Sequence, residues 1–125
     1  MSTELAWAAG FFDGEGCVAA YVRKDGHRTL GAQVGQTDPR PLQRLRAVVR
    51  EGRVYGPYAR PDHPKWSSVW SWRVIGYPAT TRVMTLLWPY LSEPKREQWA
   101  RAIEKYGVPV SRVEALAQNR RGHAA

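Results

Sequence analysis

The chain has 125 residues, 19 Lys and Arg against 11 Asp and Glu, a formal charge of +8 and 43% hydrophobic residues; this is enough for one buried core but not two. Cys17 is the only cysteine, which excludes a disulfide-stapled fold. The longest apolar run, Leu5 to Phe12, is short and leads straight into acids, so neither a signal peptide nor a membrane span is expected and the protein reads as intracellular. The cationic surplus, mostly arginine, favours a polyanionic partner, because neutralising backbone phosphates releases condensed counterions and guanidinium forks pair two-pronged with phosphate or guanine.

In chain order, a helix is expected from Thr3 to Asp13, with Thr3 as cap and Glu4 in the favourable first turn. Leu5, Ala9 and Phe12 share one face. Ala6, Gly10 and Asp13 form an adjacent stripe that lets another helix come close. Cys17 to Arg23 alternates as a strand, the Asp25-Gly26 pair turns the chain, and Thr29 to Gln36 returns as a second strand. Asp38-Pro39 reads as an N-cap followed by proline at the first helical position, and Leu42, Leu45, Val48 and Val49 supply the apolar stripe of a helix ending near Glu51-Gly52. Arg53 to Arg60 and Val69 to Ile75 form a second pair of strands, with Trp70, Trp72 and Val74 on the core side. Helices over Pro78 to Leu91 and Pro94 to Tyr106 follow.

The expected order is αββαββα with a final extra helix: an α+β fold whose four antiparallel strands carry helices on one face. Residues 1–107 form one domain and 108–125 a polar tail, expected to be partly disordered. The two αββ units suggest an internal pseudo-duplication. The bare sheet face would carry Tyr21, Arg23, Thr29, Gln33, Ser71 and Arg73, long or polar groups of the kind that read base edges.

Asp13-Gly14-Glu15-Gly16 breaks two local rules at once. Carboxylates at a helix C-terminus face the negative end of the macrodipole, which is unfavourable by about 0.3–1 kcal/mol each. Glycines flanking Glu15 let the backbone turn sharply beside a hard oxygen ligand suited to Mg²⁺. In its longer context, Ala8-Ala9-Gly10-Phe11-Phe12-Asp13-Gly14-Glu15-Gly16, the segment resembles the signature of the LAGLIDADG homing endonucleases, with Ala9-Gly10 and the two acids in register. The αββαββα order is also that family's, and the resemblance runs from about Leu5 to Gly107.

With one copy of the signature, the resemblance implies a homodimeric, site-specific double-strand DNA endonuclease with a saddle-shaped sheet and a roughly palindromic target, dependent on Mg²⁺ or Mn²⁺. It implies signature helices packed on each other through Ala6, Trp7, Ala9, Gly10 and Asp13. It makes Glu15 the metal-binding carboxylate, in a position where Asp is the commoner residue. Through Gln33-Val34-Gly35-Gln36 it places Gln36 near the scissile phosphate with Arg40 close by, and through Pro89 to Arg96 it brings Lys95, or else Arg96, to the active site as the basic residue. The alternative is a non-cleaving nucleic-acid-binding protein of the same fold, an RNA maturase or a DNA-binding regulator. His27, His63 and His123 are scattered without zinc spacing. Trp66, Trp70 and Trp72 could stack bases, but Trp70 and Trp72 share a face with Val74 and read as core. Arg120 and Arg121 form a basic tail.

Overall fold

In the computed structural model, which describes residues 3–107 apart from 64 and 66, α1 (Thr3–Glu15) runs directly into β1 (Gly16–Val22). The expected tail with Arg120, Arg121 and His123, and the candidate Trp66, lie outside the described residues. Ala8, Ala9 and Phe12 are the buried positions of α1. The helix continues two residues past Asp13, through Gly14. A helical glycine is about 1 kcal/mol worse than alanine, a preference that tertiary packing overrides.

The hairpin turns as its sequence requires: the Asp25 side chain accepts the His27 N–H at 2.9 Å, and Gly26 takes φ +88°, a left-handed conformation open to glycine. β2 (Arg28–Gln36) pairs with β1 in register Cys17 to Gln33 and Tyr21 to Thr29. Asp38 caps α2 (Pro39–Val49), accepting the Arg40 N–H at 2.9 Å, with Leu42, Leu45 and Val49 facing inward. β3 (Arg53–Tyr58) stops two residues short of expectation and shifts register between Tyr55 and Tyr58. Pro57 lies in that interval, and an edge strand tolerates the ladder donor a proline removes.

β4 (Val69–Ile75) lies between β2 and β3, so the sheet order is β1-β2-β4-β3, antiparallel throughout. Trp72 is fully buried and its indole N–H donates to the Glu51 carbonyl at 3.0 Å. α3 (Tyr77–Leu87) ends earlier than expected, tightening into a 3₁₀ turn over Trp88–Tyr90. The cause is Pro89, which removes the backbone donor that a continuing α-helix needs. α4 (Glu93–Tyr106) closes on Gly107, φ +111°, and the last helical carbonyl, that of Tyr106, accepts from Arg28 at 2.8 Å.

One core joins the two layers: Val18, Leu30, Val34 and Trp72 from the sheet meet Phe12, Leu45, Met84 and Trp99 from the helices. Burying each large side chain contributes about 1.5–3 kcal/mol. The other sheet face carries no helix. Among the described residues no helix is long and apolar enough to cross a membrane.

Candidate active site and nucleic-acid face

The two acids closing α1 point to different partners. The Asp13 carboxylate accepts the Ser92 N–H at 3.1 Å and the Ser92 hydroxyl at 2.9 Å, at the start of α4. There it faces the positive end of another helix dipole, which compensates its place at the end of α1. Asp13 is thus tied to the start of the chain's own α4. Glu15 is exposed, and its contact is a hydrogen bond from the Gln36 amide at 3.2 Å.

Gly16, next in the chain, is fixed sterically: a Cβ there would clash with the ring of the fully buried Phe12. Gly16→Ala is therefore expected to destabilise by about 1–3 kcal/mol, read as a melting temperature lower by several degrees. The Gly16 carbonyl accepts from Lys95 Nζ at 2.6 Å. Gln36 thus holds Glu15, and Lys95 reaches the carbonyl of the residue after it, where α1, β2 and α4 converge.

Two expected members stand apart. Arg96 turns away, donating to the Trp88 carbonyl at 2.8 and 3.1 Å with its guanidinium 5.0 Å from the Trp88 ring centre. Of the adjacent cations, Lys95 is the one that reaches the residue after Glu15. Arg40 forms a two-pronged ion pair with Asp38 and shares no hydrogen bond with Glu15 or Gln36 among those described.

The Arg40 guanidinium holds the Asp38 carboxyl at about 2, below its ordinary 3.8. A depressed carboxylate stabilises fully above its ordinary value and loses that contribution as pH falls through the folded value. Asn is as good a cap as Asp but lacks the charge. The melting temperature of Asp38→Asn should therefore lie slightly below wild type at neutral pH, and the gap should close between about pH 4 and 2.

On the outward side of α1, Ala6, Gly10 and Gly14 are exposed, and a Cβ on Gly10 or Gly14 would meet nothing within 4 Å. Ala9 does not belong to this stripe: it is fully buried in the chain's own core, because the helical period turns it to Phe12's side. Trp7 is half-buried, stacked on Phe11 at 5.2 Å, with the Arg44 guanidinium 3.9 Å from the center of its ring.

The bare sheet face holds Tyr21, Gln33 and Arg73 around a shallow trough of about 180 Å³ with no acidic lining residue. Thr29 sits opposite Tyr21, and Arg23 lies at the strand end, paired at 3.1 Å with Asp25 in an exposed bridge of little strength. Ser71 is 7% exposed, too covered to meet a ligand; instead its hydroxyl accepts from Arg73 Nε at 3.2 Å. Cys17, Gln33, Arg73 and Arg53 form one cross-strand row. The guanidinium of Arg73 lies 5.7 and 5.5 Å from the rings of Tyr55 and Tyr58. Two arginines directly opposite repel each other; Glu51 lines the same hollow, but its carboxylate is paired with Arg82 at 2.6 Å. Sequence reasoning missed Arg53, Tyr55 and Tyr58, because they join this face only once β3 is known to pair with β4.

The four-stranded antiparallel sheet, one face under helices and the other bare, with an acid-ended helix at its edge, is the fold of the LAGLIDADG homing endonucleases. Among solved structures, I-CvuI, a homing endonuclease in complex with the I-CreI target in the presence of Mg, matches with TM-score 0.63 and 20% identity over 90% of this chain and 81% of that one. The archaeal intron-encoded homing endonuclease I-Vdi141I, complexed with DNA, matches with TM-score 0.58 and 11% identity over 93% and 95%. The meganuclease I-AabMI, bound to uncleaved DNA, matches with TM-score 0.61 and 18% identity over 95% of this chain and 38% of that one. No sequence-family model and no curated protein matches the chain.

Proposed function

We propose that this protein is a site-specific double-strand DNA endonuclease, dependent on a divalent metal and active as a homodimer. The observation that carries the reading is Glu15, an exposed carboxylate bonded by Gln36, one residue before the carbonyl that Lys95 reaches, at the end of the helix whose outward stripe is bare of side-chain bulk. The fold neighbours, solved with DNA, support it.

The donor set fits half of a metal site. Among the described residues no three acids, histidines or cysteines gather. One chain brings one hard carboxylate ligand, and a second Glu15 would arrive with a second copy docked along Ala6, Gly10 and Gly14. Mg²⁺ or Mn²⁺ bound there would supply charge neutralisation at the phosphate under attack. Within the chain, the Gln36 amide orients one oxygen of Glu15, and the Lys95 ammonium adds positive charge where negative charge develops on the phosphate. Arg40 would contribute once its exposed, solvent-screened pair with Asp38 exchanges for a phosphate. Tyr21, Arg23, Thr29, Gln33 and Arg73 would face the major groove from the bare sheet.

Incubation with a randomised duplex library and Mg²⁺ should give discrete double-strand breaks that chelator abolishes. Tight, salt-sensitive binding without breaks would overturn the nuclease reading in favour of a non-cleaving nucleic-acid-binding protein. Gly10→Leu should convert the dimer to a folded monomer in sedimentation, because the substituent projects into open space in one chain and into the seam between two.

A further inference from the structure

β1 is an edge strand, so its outer rim should present backbone groups that no strand pairs. Two of them, the Gly16 carbonyl and the Val18 N–H, are what one residue of a further strand would bond. α4 replaces that residue with two side chains one helical turn apart. Lys95 Nζ donates to the Gly16 carbonyl at 2.6 Å, and Gln98 Oε1 accepts the Val18 N–H at 3.1 Å. The two are joined to each other, Lys95 Nζ donating to Gln98 Oε1 at 3.2 Å.

We propose that Gln98 is the positioning residue for Lys95. Its amide oxygen is anchored to rigid strand backbone and fixes where the ammonium sits, one residue beyond Glu15. Both acceptors around Lys95 are uncharged, and no ion pair to a carboxylate is found for it among the described residues. Its positive charge therefore remains available, and two of its three protons are committed. What Lys95 then does rests on the nuclease reading; where it is held does not.

Gln98→Met removes the acceptor at nearly constant volume, and Gln98→Glu keeps it. Gln98→Met should slow cleavage about 10- to 100-fold, the usual range for a partner that orients an active-site group, with DNA affinity within about twofold of wild type. Gln98→Glu should hold the ammonium in place but pair its charge with a carboxylate, so the lysine stays ordered while the rate is not restored. In a Lys95→Ala background, Gln98→Met should change the rate less than about twofold, because two residues acting through one function are not additive. An equal loss in both backgrounds would reduce Gln98 to an edge cap and overturn the proposal.

A readout independent of cleavage is the lysine side-chain ¹⁵N–¹H spectrum, where only four lysines contribute. The Lys95 ammonium signal should persist in wild type and Gln98→Glu and exchange away in Gln98→Met. An unchanged signal in Gln98→Met overturns the proposal whatever the protein cuts. Loss of the signal in a protein that cuts nothing upholds the positioning and sinks the nuclease reading alone.

Discussion

Glu15→Gln is expected to lower the rate of metal-dependent DNA cleavage by about three orders of magnitude, equivalent to roughly 4 kcal/mol of transition-state stabilisation. Affinity for the same duplex should stay within about threefold, since the sheet rather than the carboxylate supplies most backbone contacts. The substitution is nearly isosteric, and the new amide oxygen can still accept from Gln36, so the local geometry survives. Folding stability should move the other way. Glu15 ends α1, where a negative charge opposes the helix dipole, and its removal should stabilise by about 0.3–1 kcal/mol. Loss of activity with a raised melting temperature is what separates a chemical role from a structural one. A variant that cuts at the wild-type rate would remove Glu15 from the site.

The second large effect concerns sequence preference. Arg73 is held by Ser71 through Nε, which leaves its two terminal nitrogens to form the two-pronged contact that guanine accepts in the major groove. Tyr55 and Tyr58 flank it, and Gln33 and Arg53 sit directly opposite on the neighbouring strands. Duplexes selected from a random pool should carry guanine at one fixed position in each half-site. Arg73→Ala should abolish that preference, a loss of about 1–3 kcal/mol per half-site. Arg73→Lys should keep affinity at low salt but not the base selection, because an ammonium lacks the fork. Selection of the same guanine by Arg73→Ala would refute the assignment.

Local chemistry made most of the architecture legible. The Asp25-Gly26 turn, the Asp38-Pro39 helix start and the alternation of Val69 to Ile75 act over a few residues, and each stands where its pattern puts it. The end of α3 moved because a single proline, Pro89, acts at one backbone position that an apolar period does not register, and Pro57 lies where β3 shifts register. The candidate site divides in the same way. Glu15 was conspicuous because it violates a local electrostatic rule, and an acid in an unfavourable place is visible in one dimension.

Side-chain partnership was not visible. Nothing local distinguishes Asp13 from Glu15, yet one docks on Ser92 and the other is exposed beside Gln36. Ser71 fits the expected face by period but is covered there, and Ala9, which the resemblance put in the helix seam, lies in the core beside Phe12 where its period sets it. The amino-acid sequence by itself determined the element order, the helix-covered sheet and the conspicuous acid, all of which follow from interactions between near neighbours. Only the tertiary structure decided that Lys95 rather than Arg96 faces the end of α1, that Gln98 holds it, and that Arg53, Tyr55 and Tyr58 join the bare face. Those outcomes depend on contacts between residues dozens of positions apart, whose geometry exists only once the sheet has assembled.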